Sequence, residues 1–423
     1  MTEAEAYRHE RHGLQWAFIA LMAAIGIPAV VLELTNTHPE PWLGAIIFGV
    51  AILGGAFLLS WAAETAEMDI SQGLALAIIA FIAVLPEYAV DFVLAWQAGA
   101  DPAEAEKGLA VANMTGGNRL LIGVGWPLVF IIFFYRTKLK DLVVDRQRSL
   151  ELAFLAVATM YVILVPLRTT LTLIDTIVLV TMFALYLFYT SRVESEEVEL
   201  VGPARAMGSL NDWPRRATVL GVLIFAGAII IAAAHPFTEA LKDLGAEVGI
   251  SEFLLIQWIA PLASESPEML VAGLLAWRGR AAVGMGALIS SKVNQWTLLI
   301  GTLPIAFMMS SGDWGLTNGL PLDHRQREEI LLTAAQSAFA IAVFVNLKMG
   351  SREALALFLL FATQLVITNE QARIVYSFLY MALCIILLLI HRSDLRVTSR
   401  SAWTILRGRR IEDHESPPEP AAH

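Results

Sequence analysis

The segments "PEYAVDFVLAW" (86–96) and "PEMLVAGLLAW" (267–277) align without a gap, and six of their eleven positions are identical. In both copies a Pro-Glu pair is followed nine residues later by Trp, and both copies lie inside long apolar runs. A carboxylate in the apolar core of a bilayer is costly, so a glutamate there usually marks a function or a charge pairing. The match therefore predicts an internal repeat in which the two glutamates have corresponding roles.

The composition of the chain is that of a membrane protein. The 423 residues are 57% hydrophobic and 16% charged, whereas a soluble domain carries about a quarter charged residues. We predict an all-α polytopic membrane protein with about 12 transmembrane helices. The apolar segments lie at 14–34, 42–62, 70–99, 108–134, 150–166, 172–190, 217–235, 248–277, 281–308, 329–347, 353–367 and 372–391.

The loops between these segments predict the orientation of the chain. If the N-terminus is cytoplasmic, the inside loops and tails hold 21 Lys and Arg residues and the outside loops hold 6. Because basic residues are enriched on the cytoplasmic side, we expect both termini in the cytoplasm and the protein in the cell membrane. Two basic residues, Arg119 and Lys292, are left over inside membrane segments.

The repeat divides the chain into two halves of opposite orientation. The two Pro-Glu copies lie five crossings apart, and an odd number of crossings inverts the second copy relative to the first. We therefore expect two inverted-topology five-helix repeats with one extra helix at each end. The predicted parts are an N-terminal tail and extra helix (1–41), a first half (42–190), a solvated cytoplasmic linker (191–216), a second half (217–367), and an extra helix with a disordered tail (368–423).

A second pair of segments corresponds less clearly. The stretch "ANMTGGNRLLIGVGWP" (112–127) resembles "ALISSKVNQWTLLIGTLP" (287–304) in two registers. Matching "LLIG" pairs Asn118 with Trp296, whereas matching the small residues pairs Gly117 with Ser291 and Asn118 with Lys292. We prefer the second register, because small residues beside a polar one suit a helix that faces an ion.

Proline inside each repeat predicts a local opening of the helix. It removes a backbone donor and kinks or breaks the helix, and the freed carbonyl oxygens need a partner in lipid. A cation is such a partner, and Glu87 and Glu268 place carboxylates beside those carbonyls. Hard cations such as calcium take six to eight oxygen ligands. Further candidate oxygen ligands are Ser264, Ser290, Ser291, Asn113, Asn118 and Asn294.

Four more charged residues in the membrane segments remain open to two interpretations. Asp91 and Glu265 either relay protons and tune the site or have a structural role. Arg119 and Lys292 either pair with the glutamates as structural ion pairs or act in the transport of charge. The four carboxylates and two basic residues leave a charge of −2 when all are ionised, which suits one divalent or two monovalent cations.

These motifs resemble the calcium/cation antiporter superfamily, which includes sodium/calcium and cation/proton exchangers. That family carries "G-[ST]-S-x-P-E" and "G-N-x-x-G-S-N" helices in each of two inverted repeats. Here they read "AVLPE" (83–87), "SESPE" (264–268), "ANMTGGN" (112–118) and "GALISSK" (286–292). The resemblance implies ten core helices and cation coordination by residues that correspond to Glu87, Glu268, Ser264, Asn113, Gly117, Asn118, Ser291 and Lys292.

The chain departs from the family pattern at several of these positions. Ala83 and Val84 replace hydroxyl residues, and Glu265 stands where serine is usual. Lys292 stands where an asparagine or an acidic ligand is expected. An ammonium group at this place can substitute for a sodium ion or carry the exchanged proton.

We therefore expect a secondary active cation antiporter that exchanges calcium, or a similar cation, against sodium or protons by alternating access. The alternative is a sodium/proton or other monovalent cation/proton antiporter in which Lys292 and Arg119 stand in for bound cations. An enzyme is not expected, because the signatures of intramembrane carboxylate chemistry are missing. A channel is less favoured, because the inverted repeat is typical of transporters by analogy.

The remaining expectations concern partners and one acidic cluster. We expect inorganic cations and the lipid bilayer as partners, no nucleic acid, no cofactor, and a monomer or homodimer. Glu64, Glu67 and Asp69 lie at the predicted cytoplasmic mouth. They form either an entry site for cations or a solvated loop, and we favour the solvated loop.

Overall fold

The computed structural model describes residues 12–69, 84–192, 200–366 and 369–407, and these residues are almost all helical. The first half contains α1 (Gly13–Leu34), α2 (Pro41–Ala66), α3 (Leu85–Ala100), α4 (Pro102–Lys107), α5 (Leu109–Leu120), α6 (Trp126–Thr137), β1 (Asp141–Val143), α7 (Ser149–Val162), β2 (Thr170–Thr172) and α8 (Leu173–Thr190). Then follow α9 (Ala204–Gly208), α10 (Asp212–Val248), α11 (Glu252–Trp277), α12 (Ala281–Asn294), α13 (Ile300–Ser311), β3 (Gly319–Pro321), α14 (His324–Val343), β4 (Lys348–Gly350), α15 (Ser351–Val366), α16 (Glu370–Ile390) and α17 (Arg392–Leu406).

The prediction of an all-α polytopic membrane fold is confirmed. Each of the twelve apolar segments coincides with helical structure, although the first part of the third segment (70–83) lies outside the described residues. Among the described helices, eight are long and apolar enough to cross a membrane by themselves. The other segments are short or contain the polar residues of the repeat.

Two small sheets reveal the symmetry of the halves. β1 pairs antiparallel with β4, and β2 pairs antiparallel with β3, so each sheet takes one strand from each half. β3 begins 178 residues after β1, and β4 begins 178 residues after β2. Because α7 separates β1 from β2 and α14 separates β3 from β4, the sheets lie at opposite ends of these helices. Exchanging the halves therefore exchanges the two ends, as an inverted repeat requires.

A π-helical turn in each half decides the register of the second motif. The turn at Leu121–Gly125 joins α5 to α6, and the turn at Gln295–Leu299 joins α12 to α13. The second turn begins 174 residues after the first, and this offset pairs Asn118 with Lys292. The shift to 178 arises later, because the loop 312–318 before β3 is four residues longer than the loop 138–140 before β1. The "LLIG" match is thus one helical turn out of register.

The linker between the halves is more ordered than expected. Its described part packs into the molecule, where Leu200, Ala204 and Met207 are fully buried. α10 begins at Asp212, inside the predicted linker 191–216, whose residues 193–199 lie outside the described part. The expectation of a solvated connector is therefore wrong for 200–210, which are buried or half-buried, whereas 211–214 are exposed. The apolar stretch "VGPARAM" (201–207) of this linker directly follows a charged stretch. The composition of the whole linker is therefore polar, although this part of it is not.

The acidic cluster at the end of α2 holds this linker in place. Asp69 accepts hydrogen bonds from Arg215 Nε at 2.8 Å and Nη2 at 2.7 Å, and from Arg216 Nε at 2.9 Å. Glu64 Oε2 accepts a hydrogen bond from the backbone N–H of Val201 at 3.3 Å. The cluster is therefore not a solvated loop. Two of its carboxylates, Glu64 and Asp69, bind the chain that connects the two halves.

The C-terminal tail also contains structure that the sequence did not predict. α17 covers Arg392–Leu406, and one of its faces buries Thr398 and Ala402 against the molecule. The Thr398 hydroxyl donates a hydrogen bond to the carbonyl oxygen of Val345 at 2.6 Å. The charges and prolines of the tail predict disorder. Thr398 and Ala402, however, are small residues four positions apart, so they share one face of the helix and pack against the molecule. Residues 408–423, which hold all three prolines of this tail, lie outside the described part.

Candidate functional site

Four carboxylates meet between the two halves. Glu87 and Asp91 lie one helical turn apart on α3, and Glu265 and Glu268 lie three residues apart on α11. All four are close enough to interact electrostatically. A narrow cleft is lined by Glu87, Asp91, Asn113, Met114, Gly117, Asn118, Pro261, Ser264, Glu265 and Leu299. The structure thus brings together carboxylates that lie 181 residues apart in the repeat.

Close packing of α5 against α11 brings the second motif to this cleft. Gly116 lies against the carbonyl oxygen of Gln257, where a Cβ would come within 1.8 Å of that oxygen. A Cβ on Gly117 would lie 2.9 Å from Oε1 of Glu265. Any larger residue would separate the helices or displace the carboxylate. The "GG" of the first repeat therefore fixes the distance between these two helices.

The Pro-Glu segments differ between the halves. α11 runs without a break from Glu252 to Trp277, through Pro261 and Pro267. In the first half, α3 begins at Leu85, so Pro86 lies in its first turn, where a missing N–H costs little. The expected break is therefore absent from α11.

Glu87 has the least satisfied side chain of the cleft. Its side chain is buried, and neither carboxylate oxygen has a hydrogen-bond partner among the described residues. A buried carboxylate without partners is strongly unfavourable when ionised, so it needs a cation or a proton. Glu87 is therefore a candidate ligand.

Asp91 and Asn113 form one arm of the cleft. Asn113 Nδ2 donates a hydrogen bond to Asp91 Oδ1 at 2.9 Å. The remaining oxygens, Asp91 Oδ2 and Asn113 Oδ1, have no hydrogen-bond partner in the described part of the chain. The pair thus presents two oxygen acceptors in a buried setting.

Glu265 is held by a residue that the sequence analysis missed. Gln295 Nε2 donates a hydrogen bond to Glu265 Oε1 at 2.5 Å, and Oε2 of Glu265 has no hydrogen-bond partner among the residues described. Gln295 is the first residue of the second π-helical turn. The local signal for Gln295 was its place in the polar stretch "KVNQ" (292–295). A π-helical turn changes which side chains face inward, so this stretch alone does not show that Gln295 faces Glu265.

Glu268 is the most accessible of the four carboxylates. Its side chain is half-buried and interacts with the Ser291 hydroxyl on α12. Glu268 Oε2 and Ser291 Oγ nevertheless lack a hydrogen bond of good geometry. The Ser264 hydroxyl donates weakly to the carbonyl oxygens of Ala260 and Pro261, both at 3.4 Å. Two of the three predicted serines, Ser264 and Ser291, therefore lie at the site with hydroxyl groups that are not firmly engaged, whereas Ser290 interacts with the Tyr186 hydroxyl.

Lys292 contacts its counterpart from the other half. Its Nζ donates hydrogen bonds to Asn118 Oδ1 at 2.5 Å and to the carbonyl oxygen of Asn118 at 3.3 Å. It also lies 4.4 Å from the centre of the Trp296 ring, a cation–π distance. Lys292 is fully buried and interacts electrostatically with Glu265. The ammonium group thus occupies the oxygen atoms that Asn118 would otherwise offer to a cation.

Asn294, another predicted oxygen donor, is engaged elsewhere. Its Oδ1 accepts a hydrogen bond from the Tyr88 hydroxyl at 3.1 Å. Tyr88 follows Glu87 directly, so this bond fixes the start of α3 against α12. Asn294 therefore joins the two halves rather than lining the cleft.

Arg119 points away from the cleft. Its Nη2 forms a salt bridge with Glu329 Oε2 at 2.6 Å, and both side chains are almost completely buried. Gln257 Nε2 donates a second hydrogen bond to the same carboxylate oxygen at 3.1 Å. Arg119 therefore does not stand in for a bound cation in this geometry. In and beside the cleft lie four carboxylates and the ammonium group of Lys292, a formal charge of −3 instead of the expected −2.

Comparisons with known proteins agree with this arrangement. The family profile described as "Sodium/calcium exchanger protein" matches residues 40–192 and 218–370. A solved structure titled "Crystal Structure of H+/Ca2+ Exchanger CAX" is 42% identical, with a TM-score of 0.89, and the match covers 94% of this chain and 100% of that chain. A search of curated protein sequences found no match.

More distant structures share the fold. The Ca²⁺/H⁺ antiporter protein YfkE is 15% identical, with a TM-score of 0.60 and coverage of 82% of this chain and 98% of that chain. The sodium-calcium exchanger NCX_Mj is 18% identical, with a TM-score of 0.51 and coverage of 80% and 99%. At these identities the comparison concerns the fold alone.

Proposed function

The chain belongs to the sodium/calcium exchanger family, and from this premise we propose that it exchanges calcium ions for protons at the carboxylate cleft. It is a secondary transporter and not an enzyme. Its partners are inorganic cations and the membrane. The choice of counter-ion, the ligand set and the direction of exchange belong to the proposal.

Six buried oxygen atoms are the observation on which the proposal rests. They belong to side chains of both halves and have no hydrogen-bond partner within the described residues. They are the two oxygens of Glu87, Asp91 Oδ2, Asn113 Oδ1, Glu265 Oε2 and Glu268 Oε2. Calcium takes six to eight oxygen ligands in flexible geometry, whereas softer metals prefer nitrogen or sulfur. The chemistry of the cleft therefore favours a hard divalent cation.

The charge of the cleft supports a proton as counter-ion. One calcium ion reduces the formal charge of −3 to −1, which a single proton neutralises. When calcium leaves, the buried carboxylates are left without a positive partner, and the cleft cannot close around them to open on the other side. Protons must therefore take the place of calcium. This competition for shared carboxylates couples the two fluxes.

Lys292 supports the same choice. Sodium would need oxygen ligands at the Asn118 end of the cleft, where the ammonium group already donates hydrogen bonds to both Asn118 oxygens. The 42%-identical structure is titled as an exchanger of H⁺ and Ca²⁺, which agrees with this interpretation.

Alternating access follows from the inverted repeat. The carboxylates lie between the two halves, so a tilt of one helix bundle against the other opens the cleft first to one side and then to the other. We place both termini in the cytoplasm and the protein in the cell membrane, because 21 of the basic loop residues lie on that side against 6 on the other.

Ion flux in proteoliposomes tests the proposal. We expect an outward-directed proton gradient to drive uptake of radioactive calcium, and an outward sodium gradient of equal size to drive none. The internal pH, followed with a dye, rises as calcium enters. Sodium/proton exchange without calcium uptake would contradict the proposal and would favour a monovalent cation antiporter.

A further inference from the structure

A second cluster of ligand-type side chains lies far along the chain from the cleft residues. His324 and Glu328 are on the first turns of α14, and Glu370 is the first residue of α16. One ligand atom from each residue lies within 4.8 Å of the others. We propose that His324, Glu328 and Glu370 bind a transition-metal ion of the Zn²⁺, Co²⁺ and Ni²⁺ class, at a site separate from the transport cleft.

The distances suit a small ion. His324 Nδ1 lies 3.0 Å from Glu328 Oε1 and 3.8 Å from Glu370 Oε1. A tetrahedral zinc ion with bonds of about 2.0–2.1 Å places neighbouring ligand atoms about 3.4 Å apart, between these two values. His324 and Glu328 are four residues apart and so share one face of α14. Small rotations of the two exposed side chains complete the geometry.

Glu328 supplies an independent sign of a ligand. The residue is only 7% exposed, and its Oε1 lies 3.0 Å from His324 Nδ1 without a hydrogen bond of good geometry in the described chain. The other oxygen, Oε2, accepts hydrogen bonds from Arg373 at 2.8 and 2.9 Å. Partners of this kind orient the carboxylates that bind metals. Arg373 thus fixes the carboxylate so that its second oxygen is presented to the metal.

The site is accessible to an ion from solution. The side chain of His324 is 66% exposed and that of Glu370 is 60% exposed. Three protein ligands leave a fourth position for water. An exposed site of this kind exchanges its metal, so it responds to the metal concentration around the protein.

The chemistry separates this site from the transport cleft. Imidazole nitrogen favours zinc, cobalt and nickel, whereas calcium takes oxygen ligands. No histidine is among the described residues that line the cleft. The bound metal would join α14, in the second half, to α16, the extra helix that follows the two halves. Metal binding should therefore stabilise the folded protein by mass action.

Cobalt titration of the purified full-length chain in detergent tests this inference. We expect visible absorption bands of a histidine-bound Co²⁺ ion and a rise in melting temperature. His324→Ala and Glu370→Gln should each weaken binding at least about tenfold. His391→Ala is the matched control, because His391 lies at the opposite end of α16 and pairs with Asp394; this variant should keep the bands.

The outcomes are distinct for this site and for the transport function. No histidine-type spectrum in the wild type, or equal binding in His324→Ala, would overturn the inference. Glu370→Gln changes only an exposed side chain and should leave the fold intact. It therefore tests the site even if His324→Ala misfolds. Loss of calcium uptake in Glu87→Gln, with cobalt binding retained, would show that the two sites are separate.

Discussion

The buried salt bridge between Arg119 and Glu329 allows a quantitative prediction about stability. Their side chains are 2% and 4% exposed, and the charged atoms lie 2.6 Å apart. Replacing Glu329 with Gln keeps the shape and removes the negative charge. Arg119 then retains only neutral acceptors, the carbonyl oxygen of Thr115 at 3.3 Å and Gln364 Oε1 at 3.5 Å.

The expected loss is large because the remaining charge cannot reach water. Removing one partner of a buried ion pair destabilises a protein by about 3–5 kcal/mol. This corresponds to roughly two to three and a half orders of magnitude in the unfolding equilibrium constant. Replacing both residues, as Arg119→Met with Glu329→Leu, leaves no buried charge and should recover most of the loss. In Glu329→Gln the amide oxygen can still accept the hydrogen bond from Gln257, whereas the leucine of the double variant cannot, so loss of this bond works against the expected recovery.

Unfolding in mixed micelles with increasing denaturant measures this directly, with linear extrapolation of the free energy of unfolding. Glu252→Gln is the control, because Glu252 forms a partly exposed pair with Lys107 at 3.2 Å, and such a pair contributes about 0–1 kcal/mol. Equal losses for Glu329→Gln and Glu252→Gln would refute the reasoning. So would a double variant as unstable as the single one.

Three further predictions concern the cleft and the linker. Gly117→Ala should weaken the apparent calcium affinity about tenfold in uptake assays, because the new Cβ would crowd Glu265; unchanged affinity would contradict the packing argument. Lys292→Asn should let sodium inhibit calcium uptake, as measured by adding external sodium, whereas the wild type should be insensitive. Hydrogen bonds from Arg215, and then from Arg216, lower the pKa of Asp69. Its contribution to stability should therefore be complete above the ordinary aspartate pKa and disappear as the pH falls through the lowered value, a dependence that melting curves of Asp69→Asn should lack.

Much of this fold could be predicted from the sequence because membrane segments carry a strong local signal. Apolar length fixes the helices, and a Pro-Glu pair is rare enough in such segments to reveal the repeat. The same pairs identified Glu87 and Glu268, and the structure places them beside Asp91 and Glu265, whose roles the sequence left open. Asn113 and Lys292 followed from the alignment of the second motif.

What the sequence did not reveal depends on contacts between distant residues. Nothing local pairs Arg119 with Glu329, which lies 210 residues away, or directs the Gln257 amide to the same carboxylate. Gln295 reaches Glu265 because a π-helical turn rotates the chain, and the sequence gives no direct sign of that turn. The folded part of the linker was missed for a different reason, because its short apolar stretch was judged together with the charged residues beside it.

Calcium uptake by variants of the two repeated glutamates tests the central claim most directly. Radioactive calcium uptake into proteoliposomes under a proton gradient should fall at least about a hundredfold in both Glu87→Gln and Glu268→Gln, since each loses a charged ligand. Glu252→Gln, on the same helix as Glu268 but outside the cleft, should transport like the wild type. Full uptake by either cleft variant would contradict a shared carboxylate site between the two halves.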